Sequence, residues 1–180
     1  MQYKRSLLIL LMLALSLLPV SLAKAASTDT VAVKVTIAST LSVNITETEY
    51  QFGTLNAGST TVSATGATVT NNGSGVNETY SLSLTNPSGW TASQTAAGSN
   101  TYVLNAALSN LVTGITWSAA NHALSTTPVV CSATKFAGDQ TGVSVPYNAT
   151  RKLWFQFLAP TTSTVATEQA ITVTVTAQAG

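Results

Sequence analysis

Apolar and polar residues alternate along most of the chain with the two-residue spacing of β-strands. The first such run, "VAVKVTIASTLSVNI" at residues 31–45, places seven apolar side chains on odd positions: Val31, Val33, Val35, Ile37, Leu41, Val43 and Ile45. One straight strand of this length would span about 50 Å, whereas an ordinary strand spans about 17–20 Å. The segment therefore either bends between two sheets or leaves the domain.

Further strands follow at short intervals and are separated by turns rich in Gly, Asn and Pro. Residues 67–84 read as a hairpin, and alternation returns at 101–108, in "RKLWFQFLAP" at 151–160 and in "ITVTVTAQA" at 171–179. Residues 109–134 are less regular, and helical spacing is almost absent. The pattern predicts an all-β fold, a single β-sandwich of about 7–9 strands with immunoglobulin-like or jelly-roll topology.

The N-terminus has the pattern of a secretory signal peptide. Lys4 and Arg5 precede the apolar run "SLLILLMLALSLLPVSLA", and Ala23-Lys24-Ala25 fits an A-x-A cleavage site. An uncleaved membrane anchor is the alternative. We expect residues 1–25 to be a cleaved signal peptide, 26–40 an N-terminal extended strand that can be donated, and 41–180 the sandwich of a secreted protein with no membrane contact after cleavage.

Composition narrows the choice of partners. After residue 25 the chain has four basic and six acidic residues, a net charge of −2, and charged residues are only 7% of the whole sequence. Such a surface does not suit nucleic acid. A chain so poor in charge stays soluble through its Ser and Thr hydroxyls, or it buries outer surface against copies of itself. Cys131, the only cysteine, is expected to be a small buried apolar side chain.

No residue pattern indicates catalysis, a metal or a cofactor. His122 is the only histidine and is expected to lie in a loop, since triads and zinc sites need more His or Cys than this chain has. Glu47 and Glu49 resemble the acid pair of a glycosidase, but charges that keep a strand end soluble are the simpler interpretation. Asp139 is expected to be a turn residue.

Two features point to sugars. The three tryptophans, Trp90, Trp117 and Trp154, would suit a carbohydrate-stacking platform if they shared one surface. Four N-x-S/T triplets are candidate glycosylation sites, at Asn44, Asn72, Asn77 and Asn148.

The motifs "FGTLNAGS", "VTNNGS", "YSLSL", "LWFQFLAP" and "ITVTVTA", in this order, resemble secreted bacterial and archaeal fibre proteins of the TasA/camelysin family. The motif "FGT" and the closing strand also resemble chaperone-assembled pilins, which usually carry a cysteine pair that this chain lacks. The TasA-like resemblance implies a subunit that polymerises by donating a strand to its neighbour. It also implies structural roles for Phe52, Gly53, Gly58, Val69, Asn71 and Gly73.

These observations predict a non-enzymatic subunit of an extracellular filament, pilus or surface layer, whose partners are copies of itself. Val31, Val33, Val35 and Ile37 would enter a neighbouring subunit. Trp154 faces away from Phe155 and Phe157, so we expect it to be buried at a subunit contact or under a covering strand. Two alternatives remain: a first strand that switches sheets within one molecule, and a monomeric adhesin or carbohydrate-binding module.

Overall fold

The computed structural model describes residues 28, 30–36 and 38–180. The expected signal peptide and Ile37 lie outside the described residues. The chain divides into two compact units, Met1–Thr36 and Ile37–Gly180. In the first unit residues 30–36, which we call the N-terminal arm, are exposed and belong to no helix or strand.

The second unit is built almost entirely of strands. Residues 38–180 contain nine: β1 Val43–Ile45, β2 Thr60–Val62, β3 Ala67–Asn71, β4 Glu78–Thr85, β5 Thr91–Ala92, β6 Thr101–Leu108, β7 Val129–Val130, β8 Thr150–Leu158 and β9 Thr172–Ala179. A 3-10 helix at Val112–Gly114 and one α-helical turn at Ala119–His122 lie between β6 and β7. In the described part of the chain no helix is both long and apolar enough to cross a membrane.

The strands form two sheets, which confirms the predicted all-β, sandwich-like fold. The larger sheet has the order β1-β3-β8-β6-β5, with β2 also paired to β8, and the smaller has the order β7-β4-β9. Strand β8 lies at the centre of the larger sheet. It pairs with β6 along one edge, and with β3 and β2 in succession along the other.

The core lies between the two sheets, and its residues are those that the alternation placed on one face. Leu153 and Phe157 of β8 pack with Leu104 of β6 and with Tyr80 and Leu82 of β4. Because successive strand residues point to opposite faces, Trp154 and Gln156 of β8 point to the other side of the larger sheet.

Trp154 is covered by its own chain. The side chain is 9% exposed and packs with Ala107 and Ile115 in a second, smaller cluster. Its indole Nε1 donates a hydrogen bond to the carbonyl oxygen of Ser109 at 2.8 Å. The irregular stretch after β6 therefore covers this side chain, and Trp154 lies in the interior of its own chain rather than on an open surface.

A break between β2 and β3 makes room for this indole. The Ser63 hydroxyl accepts a hydrogen bond from the backbone N–H of Phe155, while the Ser63 N–H donates to the Phe155 carbonyl. Gly66 then passes directly over Trp154: a Cβ atom at this position would lie 2.8 Å from Cε2 of the indole. Since a ring packed on both sides cannot retreat, the site requires glycine.

We predict that Gly66→Ala lowers the free energy of unfolding by about 1–3 kcal/mol, the usual cost of overpacking a filled core. Gly98→Ala is the matched control, because a Cβ there would meet only Thr101, at 3.8 Å. Urea unfolding followed by circular dichroism measures both variants. Equal stability of the two variants would contradict the packing described for Trp154.

Candidate subunit interface

An open groove runs between the two sheets. Its volume is about 1010 Å³. One wall is apolar and comes from the larger sheet, through Leu104 of β6 and Leu153, Phe155 and Phe157 of β8. The opposite side begins at Ile171 and Val173, where β9 starts, and residues 47–55 lie along the groove. Leu104, Leu153 and Phe157 are themselves at most 5% exposed and Phe155 is half-buried, so the groove lies beside a core that the chain already covers in large part.

The groove lies beside backbone that no strand pairs with. Strand β9 pairs with β4 along its whole length, from Thr172 opposite Thr85 to Ala179 opposite Glu78. Within residues 38–180 no strand pairs with the other edge of β9, and residues 47–55 belong to no strand. Unpaired N–H and C=O groups of an edge are a template for another chain.

The segment along the groove is held by aromatic contacts. Phe52 packs on Phe157 with ring centroids 5.5 Å apart, and Tyr50 meets Phe52 edge-on at 4.9 Å. The Tyr50 hydroxyl accepts a hydrogen bond from the N–H of Ala64 at 2.5 Å. Gly53 and Gly58 have φ angles of 70° and 72°, in the left-handed region that favours glycine. The residues of the "FGTLNAGS" motif thus fold this segment against the core.

The point where residues 40–42 join the sandwich is built around a buried carboxylate. Thr40 and Ser74 exchange two backbone hydrogen bonds. The N–H of Ser42 donates to Glu78 Oε1 at 2.6 Å, and Glu78 is fully buried. A Cβ atom on Gly73 would collide with the Thr40 carbonyl oxygen and with Glu78 Oε1. This attachment fixes the start of the second unit on the turn between β3 and β4.

Glu78 has a polar neighbour two residues along β4. Its Oε2 atom and the hydroxyl of Tyr80 are both buried without a hydrogen-bond partner among the described residues. Burial, followed by the charge of Glu78, raises the pKa of Tyr80 to about 12. Tyr80 is therefore a neutral core residue at ordinary pH.

The four candidate glycosylation sites gather at this end of the sandwich, and all four asparagines are exposed. The N–H of Asn72 donates to the Ser42 carbonyl, and the N–H of Asn148 donates to the carbonyl of buried Asn71. Asn77 Nδ2 donates to the Ser144 hydroxyl at 3.2 Å, and Asn44 lies in β1 opposite Thr70. Their exposure satisfies one requirement for modification.

The two acidic residues that resemble a glycosidase pair each accept local hydrogen bonds. Glu47 accepts hydrogen bonds from the Thr46 hydroxyl and the Thr68 N–H, which lower its pKa to about 2. Glu49 accepts a hydrogen bond from Gln51. Both carboxylates are exposed and line the groove.

Asp139 has the structural role expected of a turn aspartate. Its carboxylate accepts hydrogen bonds from the Ser109 hydroxyl and from the backbone and side chain of Asn110. These bonds lower the pKa of Asp139. They tie the end of β6 to the turn at 138–140.

His122 is a buried structural residue, and sequence reasoning missed this role. It ends the helical turn Ala119–His122, where Nδ1 accepts a hydrogen bond from the Ser118 N–H at 3.1 Å. Nε2 lies 3.1 Å from the Ala137 carbonyl oxygen, so the ring has a hydrogen-bond partner on each side. The histidine holds together the segment that covers Trp154.

The three tryptophans do not share a surface. Trp90 stacks on Phe157 at 6.1 Å on the core side of the larger sheet. Trp117 and Trp154 belong to the second cluster, on the opposite side of that sheet. Residues on the two sides of a sheet cannot bind one sugar chain together.

Cys131 is buried, as expected from the sequence. Burial raises the pKa of its thiol to about 12, so the reactive thiolate is scarce at neutral pH.

We predict that Cys131 does not react with a thiol reagent such as dithionitrobenzoate at pH 8 while the chain is folded. In 6 M guanidinium chloride the same chain should release one equivalent of chromophore within minutes, because unfolding exposes the thiol and restores its ordinary pKa. Fast reaction of the native chain would mean that this side of the core opens readily.

No group of three or more His, Cys, Asp or Glu side chains that could hold a metal ion occurs in the described part of the chain. Comparisons with family models, with curated proteins and with solved structures found no match to this chain. The resemblance to TasA-like fibre proteins therefore stays a prediction from the quoted motifs.

Proposed function

We propose that this protein is a structural subunit of an extracellular filament, pilus or surface layer, and that the N-terminal arm of one copy fills the groove of the next. The observation that carries the proposal is a groove with both apolar and polar lining beside the unpaired edge of β9, in a chain whose arm exposes apolar residues at strand spacing. No catalysis or cofactor is part of this function.

The arm has the alternating apolar side chains of a β-strand, but residues 31–36 are exposed and belong to no strand. Val31, Val33 and Val35 are 87%, 86% and 83% exposed, although valine is among the residue types most often buried in proteins. Burying each side chain would contribute about 1.5–3 kcal/mol before the cost of ordering the arm. Ile37, outside the described residues, would extend the same row.

The edge of β9 would supply the backbone partners, and the groove beside it the apolar contacts, for such an extended arm. A strand laid beside β9 would pair with the outward N–H and C=O groups of that edge, and alternate side chains would point towards Leu104, Phe155 and Phe157. Backbone pairing supplies affinity in this mode of binding, and the apolar pockets select the spacing of the side chains. An extended segment with valine at every second position meets both requirements.

The alternative function, a monomeric adhesin or carbohydrate-binding module, depended mainly on a shared platform of tryptophans. Trp90 and Trp154 lie on opposite sides of the larger sheet, so that support is weaker. The expected extracellular location rests on the signal-peptide pattern at residues 1–25.

We predict that the full chain, purified after secretion, forms fibres or large oligomers visible by negative-stain electron microscopy and by sedimentation. Val33→Asp should abolish assembly, because a carboxylate placed against the apolar side chains of Leu104, Phe155 and Phe157 would carry a large desolvation cost. The fold should remain intact, since Val33 lies in the exposed arm. Circular dichroism and the melting temperature check the fold.

Leu111→Asp is the matched control, because Leu111 is 65% exposed and lies in neither the arm nor the groove; this variant should assemble normally. A synthetic peptide of residues 28–38 should bind the Val33→Asp chain and raise its melting temperature, whereas a scrambled peptide should not. Normal assembly of Val33→Asp, or a secreted wild type that stays monomeric and is retained on a glycan column, would contradict the proposal.

A further inference from the structure

The charges around the groove are of one sign. Three carboxylates line it, Glu47, Glu49 and Glu168, and no Lys, Arg or His does. We call these three residues the acidic rim. The remaining basic residues of 38–180, Lys135, Arg151 and Lys152, all lie outside the groove lining. Lys152 Nζ donates a hydrogen bond to the Thr68 hydroxyl, which itself donates to Glu47, so this lysine offsets part of the charge of Glu47 and the negative edge of the groove rests mainly on Glu49 and Glu168.

The acidic rim comes from two separate segments of the chain that line the groove. Glu47 and Glu49 follow β1, whereas Glu168 precedes β9. Glu49 and Glu168 are exposed and form no ion pair with any described residue. Glu47 stays ionised well below neutral pH, because its hydrogen bonds from Thr46 and Thr68 hold its pKa near 2.

The arm carries the opposite charge at a defined position. Lys34 is its only charged residue and lies between Val33 and Val35. When a strand turns its odd-numbered side chains into a groove, its even-numbered side chains point outwards. The ammonium group of Lys34 would then lie at the mouth of the groove, which the exposed side chains of Glu49 and Glu168 also line.

We infer that the acidic rim of one copy recognises Lys34 of the arm inserted from another copy, and that this charge contact selects the register of insertion. The inference rests on the proposed strand donation and adds its specificity-determining residues. A shift of the arm by one residue would bury Lys34 and expose the valines, so apolar burial and charge pairing favour the same register.

The contact between Lys34 and the acidic rim affects the choice of register and the rate of arm insertion more than the binding affinity of the arm. Ion pairs between exposed side chains contribute little to stability, whereas complementary charges speed encounter and suppress wrong alignments. A like charge at residue 34 would face the whole rim and oppose insertion. The effect must weaken as salt screens the charges, because the Debye length falls to about 3 Å at 1 M salt.

Assembly kinetics of the full secreted chain test the inference. We expect Lys34→Gln to slow fibre growth by about threefold and Lys34→Glu by about tenfold or more at 20 mM salt, with both differences lost at 1 M salt. The charge-swapped chain, Lys34→Glu with Glu49→Lys and Glu168→Lys, should regain most of the wild-type rate. Glu47 is left unchanged because it anchors Thr68.

A zero-length cross-link tests the contact directly. A carbodiimide joins an amine and a carboxylate only when they touch, so treated fibres should yield a peptide pair linking Lys34 to Glu49 or Glu168. Mixing isotope-labelled and unlabelled chains shows whether the link joins two copies. A link found only within one copy would overturn the inference.

The outcomes separate the inference from the proposed function. If Val33→Asp blocks assembly while all Lys34 variants grow at the wild-type rate in low salt, strand donation stands and the charge recognition is wrong. If Val33→Asp assembles normally, the proposed strand donation is wrong, and the charge recognition that rests on it is wrong as well. A scrambled arm peptide that binds as well as the natural one would show attraction by charge alone and would also overturn the selected register.

Discussion

The fold depends on one strand having two different apolar faces. Strand β8 pairs with β6 on one edge and with β3 and β2 on the other, so the larger sheet has no continuity without it. One face carries Leu153 and Phe157 into the core, and the other carries Trp154. Because both faces must be kept from water, the chain needs a second sheet below and a covering segment above. The stretch after β6, held by His122 and Asp139, supplies that cover.

Strands with strong alternation could be predicted closely from the sequence, but the hairpin predicted at 67–84 is wrong, because β3 lies in the larger sheet and β4 in the smaller one. The run at 101–108 is β6, and the closing run at 171–179 differs from β9 by one residue. The structure of the long run at 31–45 was harder to predict. Alternation indicates that a segment can form a β-strand, but it does not show whether a neighbouring strand is present to pair with it. Among the described residues of that run, Val43–Ile45 pair with β3 and Thr40 forms a single bridge with Ser74.

The groove could not be predicted from the sequence. It lies beside an edge of β9 that no described strand pairs with, and its lining comes from segments far apart in the chain. The donor could be proposed from Val31, Val33 and Val35, but the acceptor edge on β9 required the sheet order. Glu78 was also missed, although a signal existed. It shares its even position with Tyr80, Leu82 and Leu84, and this alternation places a carboxylate on the buried face of β4.

The attachment at Thr40 and Ser42 has a mechanical consequence. In a fibre linked through the arm, tension would enter each subunit at residues 38–42. It would pass through the two Thr40–Ser74 hydrogen bonds and the Ser42–Glu78 bond into β4. Strand β4 pairs along its full length with β9, the strand that borders the groove, so the load would leave the subunit close to where the next arm is held. The rest of the sandwich, outside the path from residues 38–42 to β9, would carry little of the tension. The core would then stay folded under a force that stretches the fibre.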